Sequence, residues 1–452
     1  LLLKIITGLV GLGLVVFIHE LGHFIAARLS GIQVEAFSIG WGNPIWARKF
    51  GGVEYRIGSL PIGGYCKMRG ETEFQDALTH RKSAIPREAG TFYGSSPWKR
   101  IIVAFSGPAA NALFAVLVLS AVWGCGQEIR TLGNRIVLAP VADGASSSPA
   151  AEAGFETGDF IVEIEGAEVS NYQEIVEAIA PNAGKALAVT VERDGRRLPL
   201  TVTPKLDPSS GAGRIGVSFW IDPVVASVSE GSAAAIGGLR AGDKIVAVNG
   251  AQVERVDQIM EALIPARPSV VSLEVLRGGF PQSLELVLSW RDDGGVETGI
   301  IYETLTVNTP ALSVGAALQK GSAEAFKTFA LSLQSLSLLF RGVDLTKAVS
   351  GPVRITLMVG DIAADGFGQG VGAGISAVAA FLALLSIALF IMNLLPIPAL
   401  DGGLIVLFLI EGILRKPLHP KFLYYFQLVG TTIIFGLLLF SLFGDILFLF
   451  GR

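Results

Sequence analysis

The chain has 452 residues, of which 51% are hydrophobic and only 16% charged, and its formal net charge is -4. That composition excludes an ordinary soluble globule and fits a polytopic membrane protein with water-exposed parts. The mild acidity gives no reason to propose a nucleic-acid partner, and the two cysteines, Cys66 and Cys125, imply no disulfide framework.

The first apolar run, residues 3–29, is long enough to cross a bilayer. No small-residue cleavage site follows it, so a retained span is expected and not a removed signal peptide. Inside the run sits His19-Glu20-Leu21-Gly22-His23. On a helix, residues four apart project from one face, so both imidazoles can share a metal ion. Glu20 lies near the same ion, where its carboxylate can take a proton from a metal-held water. Ionisable groups in a membrane helix are expensive, so their presence points to function. The competing reading is a polar pair hydrogen-bonded inside a helical bundle.

Residues 34–71 are rich in glycine and in alternating apolar positions, and read as short strands with turns. Leu60-Pro61-Ile62-Gly63-Gly64-Tyr65 has too many breakers for a helix. A β-loop dipping toward the metal is expected, against a plain cytoplasmic hairpin, because irregular backbone beside a membrane site must line a cavity or be covered by protein. Residues 72–96 are polar and read as a loop. A second span follows at residues 98–124, with Ser106-Gly107-Pro108-Ala109-Ala110-Asn111 inside it. Asn111 needs a partner, on a neighbouring helix or near the site. The connection between the two spans is rich in Lys and Arg, from Arg48 to Arg87, with Arg28, Lys99 and Arg100 flanking it. By the positive-inside rule this connection is cytoplasmic.

Residues 127–307 form a large insertion with an internal repeat, in which the segment from Ala153 to Gly166 matches that from Gly237 to Gly250. Both copies continue into a helical pattern, residues 172–179 and 256–263, and then into alternating strands, residues 187–202 and 270–287. Two tandem domains are implied, at 127–220 and 221–308. Their Gly-Asp-x-Ile-Val pattern resembles PDZ domains, which bind extended peptides by strand addition; the alternative is a pair of spacers that bind nothing.

Residues 323–340 carry Phe326, Phe329, Leu333, Leu336 and Phe340 at helical spacing, as in a helix lying in the membrane interface. It belongs to a connector, residues 309–374, that ends in the breaker-rich stretch 366–374. The third span, residues 375–395, runs into Asn393-Leu394-Leu395-Pro396-Ile397-Pro398-Ala399-Leu400-Asp401-Gly402, where Pro396 and Pro398 interrupt the helix. The fourth span covers residues 428–450, with Arg415, Lys416 and Lys421 before it. Four spans place both termini and the insertion outside, and the His motif and Asp401 inside. A catalytic zinc usually has three protein ligands. Asp445 is on the wrong side, Glu411 could face a headgroup, and Asp401 shares the depth of the histidines; capping of the next helix is the other use for Asp401.

The His19–His23 motif together with the segment from Asn393 to Gly402 resembles the site-2 protease family of intramembrane zinc metalloproteases, and the tandem insertion resembles its bacterial members. The fold implied is a polytopic α-helical membrane protein, with four transmembrane helices, a membrane-associated β-loop and two inserted α+β PDZ-like domains. The resemblance implies that His19, His23 and Asp401 bind zinc and that Glu20 is the catalytic carboxylate. It implies a substrate-binding set of Asn393, Pro396 and Pro398 with Gly63, Gly64 and Tyr65 of the β-loop. The partners implied are the lipid bilayer of a bacterial inner membrane and single-span proteins trimmed beforehand, such as anti-sigma factors or remnant signal peptides. A non-catalytic PDZ-bearing scaffold and a zinc transporter are the rivals. The first leaves the buried ionisable residues unexplained, and the second lacks a polar path.

Overall fold

A computed structural model describes residues 2–139, 147–207, 211–290, 295–338 and 351–450. The chain divides into two compact units, Leu1–Gln127 with Thr309–Arg452, and Glu128–Asn308.

In the first unit, α1 (Leu2–Leu29) leads into strands β1 (Val34–Phe50) and β2 (Val53–Met68). Helices α2 (Glu71–Thr79) and α3 (Pro97–Cys125) follow. After the insertion come α4 (Val314–Leu338), α5 (Pro352–Gln369), α6 (Val371–Leu394), α7 (Asp401–Leu414) and α8 (Pro420–Phe450). Among the described residues, four helices are long and apolar enough to cross a membrane: Lys4–Leu29, Pro97–Cys125, Val371–Leu394 and Pro420–Leu447. Helix α3 is the centre of the unit, packing against α1, α4, α6 and α7.

The β-loop is two long strands, not the several short ones the breakers suggested. Both strands kink, so residues 36–39 of β1 face residues 54–57 on one side and 64–67 on the other. Phe37 and Val53 from this sheet bury against Ala26 and Ala27 of α1. The far end stays bare, with Trp41, Ile45, Trp46 and Phe50 exposed, as expected of a surface that meets lipid.

Two segments read as irregular are helices. Residues 72–96 begin with α2, whose Phe74 and Ala77 bury against Leu407, Phe408 and Leu423; a single turn-and-a-half of apolar spacing was too short to read. The connector contains α5, which continues through Gly366 and breaks only at Gly370. Tertiary contact overrides the weak helix propensity of glycine here. The gap left by the missing side chain of Gly360 is filled by Lys4 of α1. The Asp445 carboxylate accepts from the amides of Gly351 (3.0 Å) and Val353 (3.0 Å), supplying the α5 N-terminus with acceptors it lacks locally. Helix α4 begins earlier than the amphipathic pattern predicted, and its Ala317, Gly321 and Ala325 face turns toward α3. Residues 339–350, which include the last two of the expected interfacial helix, lie outside the described residues.

The second unit shows the repeat in three dimensions. Each copy has a four-stranded sheet of the same strand order: 167–168, 160–164, 187–193, 196–202, and 251–252, 244–248, 270–277, 280–287. Each sheet packs its own apolar core, around Ile161 and Val191 in one and Ile245 and Val275 in the other. Gly158 and Gly242 hold φ at +104° and +85°, values that favour glycine, so the buried aspartate that follows can turn inward. Asp159 pairs with Arg193 and Asp243 with Arg277, both at 2.7 Å from the guanidinium Nε. The Arg277 guanidinium holds Asp243 below the ordinary carboxylate range.

Candidate metal centre

The centre is built by three elements that the chain brings together from far apart. Helix α1 contributes His19 and His23, one turn apart and both buried. Asp401 opens α7. The turn before it places Ala399 at φ +71°, a conformation disfavoured for a residue with a β-carbon. Gly402 lets that turn close, since a β-carbon there would overlap the carbonyls of Leu394 and Leu395. Leu400, and not Asp401, is the N-cap of α7, and no side-chain capping bond is made. The capping use of Asp401 is therefore overturned.

Its Oδ2 lies 3.2 Å from His19 Nε2 and 3.5 Å from His23 Nε2, and the two Nε2 atoms are 3.1 Å apart. Ligands at about 2.0–2.1 Å from a tetrahedral zinc would stand roughly 3.3–3.4 Å from one another, so the triangle has the size such an ion requires. Asp401 Oδ2 is buried and makes no well-formed hydrogen bond. His23 Nδ1 lies 2.8 Å from the Val103 carbonyl, an acceptor, so the neutral ring carries its proton there and presents a lone pair at Nε2. The lone pair of His23 Nε2 and the unpaired Asp401 Oδ2 thus converge on one point beside His19, an arrangement that fits a cation. Among the described residues, these three form the group able to hold a metal.

Helix α3 walls the site. Gly107 lies against both rings, and a β-carbon there would sit 2.6 Å from His23 Cε1 and 2.9 Å from His19 Cε1. Asn111, fully buried, brings Nδ2 within 3.3 Å of His19 Nδ1. Of the two uses open to Asn111 in the sequence, the one beside the site is the one observed. Sequence reasoning gave Gly107 no place against the imidazoles and missed the Val103 carbonyl; a glycine beside a helix proline within a span was the available signal.

Glu20 lies under β2. A β-carbon on Gly64 would stand 3.3 Å from Glu20 Cγ, and the Cys66 backbone amide faces the Glu20 carboxylate. Burial, and then the Glu20 charge, push the Cys66 thiol up to about 12. Residues 64–68 pair with β1 on one side, and no strand pairs with the other side among the described residues. Gly63 is filled over by Trp41. Tyr65 stacks edge-on against Trp41 at 6.0 Å and accepts from Arg56 at 3.2 Å, so this expected substrate contact is engaged within the loop. Asn393 is half-buried in the last turn of α6; Pro396 is exposed, and Pro398 packs against Gly430 of α8. Glu411 does not face headgroups. It is buried in a two-pronged pair with Arg100, at 2.7 and 3.1 Å, and Arg100 lies over the Phe408 ring at 4.6 Å. Arg100 itself was read as a flanking charge and is buried.

The family model described as Peptidase family M50 matches residues 7–437. The chain belongs to peptidase family M50. This bears out the family and the peptidase class expected from the two motifs. A relative from Treponema pallidum, named "Putative zinc metalloprotease", is 40% identical over 449 residues, 99% of this chain and 100% of its own length. The "Regulator of sigma-E protease RseP" of Escherichia coli is 30% identical, with 97% of each chain covered. The "Protease RseP" of Yersinia pestis is 31% identical at the same coverage. Among solved structures, a PDZ domain of an SdrC-like protein from Listeria monocytogenes matches 20% of this chain and 93% of its own, at 20% identity. Its TM-score is 0.17, and no argument rests on it.

Proposed function

We propose that this M50 member is an intramembrane zinc metalloprotease that hydrolyses a peptide bond in the transmembrane segment of single-span proteins trimmed beforehand, of the anti-sigma-factor or remnant-signal-peptide type. The observation that carries the reading is the meeting of His19, His23 and Asp401 within a 3.1–3.5 Å triangle beside the buried wall of α3, with Glu20 one residue from the first ligand. His19, His23 and Asp401 hold the metal. A zinc ion bound there supplies Lewis acidity toward a carbonyl and makes water more acidic. Glu20 takes the proton of the attacking water at its carboxylate and returns it to the leaving amine.

A substrate helix hides its carbonyls in internal hydrogen bonds and must unwind before attack. The free edge of residues 64–68, running past Glu20, offers replacement backbone bonds by strand addition. Gly64 keeps that edge close to Glu20, and Asn393, Pro396 and Pro398 help hold the substrate backbone. The charge asymmetry of the connections supports a bacterial inner-membrane protein whose site lies toward the cytoplasm, with both termini and the two PDZ-like domains, 127–220 and 221–308, outside. These domains exclude substrates that still carry bulky outer parts.

The test is Glu20→Gln on the full chain, with zinc content and cleavage of a single-span substrate measured together. Loss of turnover with zinc and substrate binding retained is expected. Unchanged turnover in Glu20→Gln sinks the role of Glu20, and a wild type with neither zinc nor cleavage sinks the assignment and favours the scaffold reading.

A further inference from the structure

The inference rests on the metal reading above and concerns what holds the His19 ring. A histidine that binds a metal through Nε2 carries its proton on Nδ1, and the partner of that proton fixes the ring's tautomer and rotation. His23 has such a partner in the Val103 carbonyl, at 2.8 Å. His19 Nδ1 has Asn111, fully buried, with Nδ2 at 3.3 Å, while Asn111 Oδ1 is buried with no partner.

As placed, the amide aims a donor at Nδ1. The ring proton would then sit on Nε2, inside the 3.1 Å gap to His23 Nε2, and would bar His19 from a cation. The two ends of an amide exchange by a half-turn of its terminal torsion without a change in shape. After that turn Oδ1 accepts from the Nδ1 proton of His19, and the Nε2 lone pair faces Asp401. Val103 and Asn111 are two helical turns apart on one face of α3, with Gly107 between them. Both imidazoles would then be oriented by the same stretch of the same helix.

We propose that Asn111 is a positioning residue whose Oδ1 accepts the Nδ1 proton of His19 and so holds that ring as a metal ligand.

The experiment is zinc affinity by chelator competition on the detergent-purified full chain, for wild type, Asn111→Leu and Asn111→Asp, with apo-protein melting recorded alongside. Leucine keeps the volume and removes the acceptor, and a loss of about 10–100-fold in zinc affinity is expected, as for other outer partners of ligating histidines. Aspartate keeps an acceptor and is expected to restore most of that loss. Wild-type affinity in Asn111→Leu overturns the proposal, as does an equal loss in both variants. If the leucine variant does not fold, Asn111→Ala is read in the same way. A wild type that binds no zinc overturns the protease reading itself, whereas a wild type that binds it beside an unaffected Asn111→Leu overturns only the role of Asn111.

Discussion

Gly107→Ala adds one methyl group, yet it should disable the centre. Ordinary contact begins near 3.4 Å, and the new carbon would stand 2.6 Å from His23 Cε1 and 2.9 Å from His19 Cε1. The deficits are 3.4 − 2.6 = 0.8 Å and 3.4 − 2.9 = 0.5 Å, with the His23 Nε2 contact tighter still. The rings cannot rotate freely, because Nδ1 of each is tied to α3. Either α3 retreats, or both imidazoles are driven into the ligand triangle. Overpacking of this kind costs about 1–3 kcal/mol of stability, and a misplacement of about 1 Å at reacting groups costs on the order of 100-fold in rate. The assay is cleavage of a single-span substrate by the detergent-purified variant, with zinc content determined on the same sample. Loss of most zinc together with about 100-fold slower cleavage is predicted. A Gly107→Ala chain with wild-type zinc and wild-type turnover would refute the placement of α3 against the rings.

Glu411→Leu should destabilise the membrane unit by about 3–5 kcal/mol, because it strands a buried guanidinium; the Arg100→Met/Glu411→Leu pair should recover most of the loss, as read by denaturant titration in micelles. Additive losses would show that the pair does not act as a unit. In the insertion, Arg277→Met should destabilise the second repeat by a similar amount of about 3–5 kcal/mol, since Asp243 is fully buried. Asp243 is depressed in the fold, so its contribution is present above its unfolded pKa of about 3.9 and is lost as pH falls through the lower folded value. The expected result is that the stability of the wild-type repeat falls below about pH 4 while the Arg277→Met chain shows a smaller change there, as read by denaturant titration; equal acid sensitivity of the two would remove the pair as the cause.

Much of this fold was legible because its signals were long or paired. The four apolar runs carry their own length, and the repeat announced itself twice, so residues 172–179 and 256–263 are helices within the bounds expected. The candidate ligands were legible for the same reason: His19 and His23 sit one turn apart, and Asp401 follows a proline-broken helix end; the fold brings the three together. What stayed hidden depends on contacts between distant segments. Glu411 looks like an interfacial acid until Arg100, 311 residues away in sequence, is seen against it. Helix α5 looks like a glycine-rich connector until α1 packs on its Gly360. Gly107 has no chemistry of its own, and only the position of two rings gives it a role. The contacts of Tyr65 with Trp41 and Arg56 were equally hidden, because β2 folds back along β1 and brings residues 56 and 65 to either side of it.

The most direct measurement is zinc K-edge absorption on the purified full chain, wild type beside Asp401→Ala. One zinc per chain with two imidazoles and further oxygen ligands at about 2.0–2.1 Å is predicted, and the alanine variant should lose the metal or replace an oxygen ligand. Sulfur in the coordination shell, or a spectrum unaltered by Asp401→Ala, would contradict a centre drawn from α1 and α7.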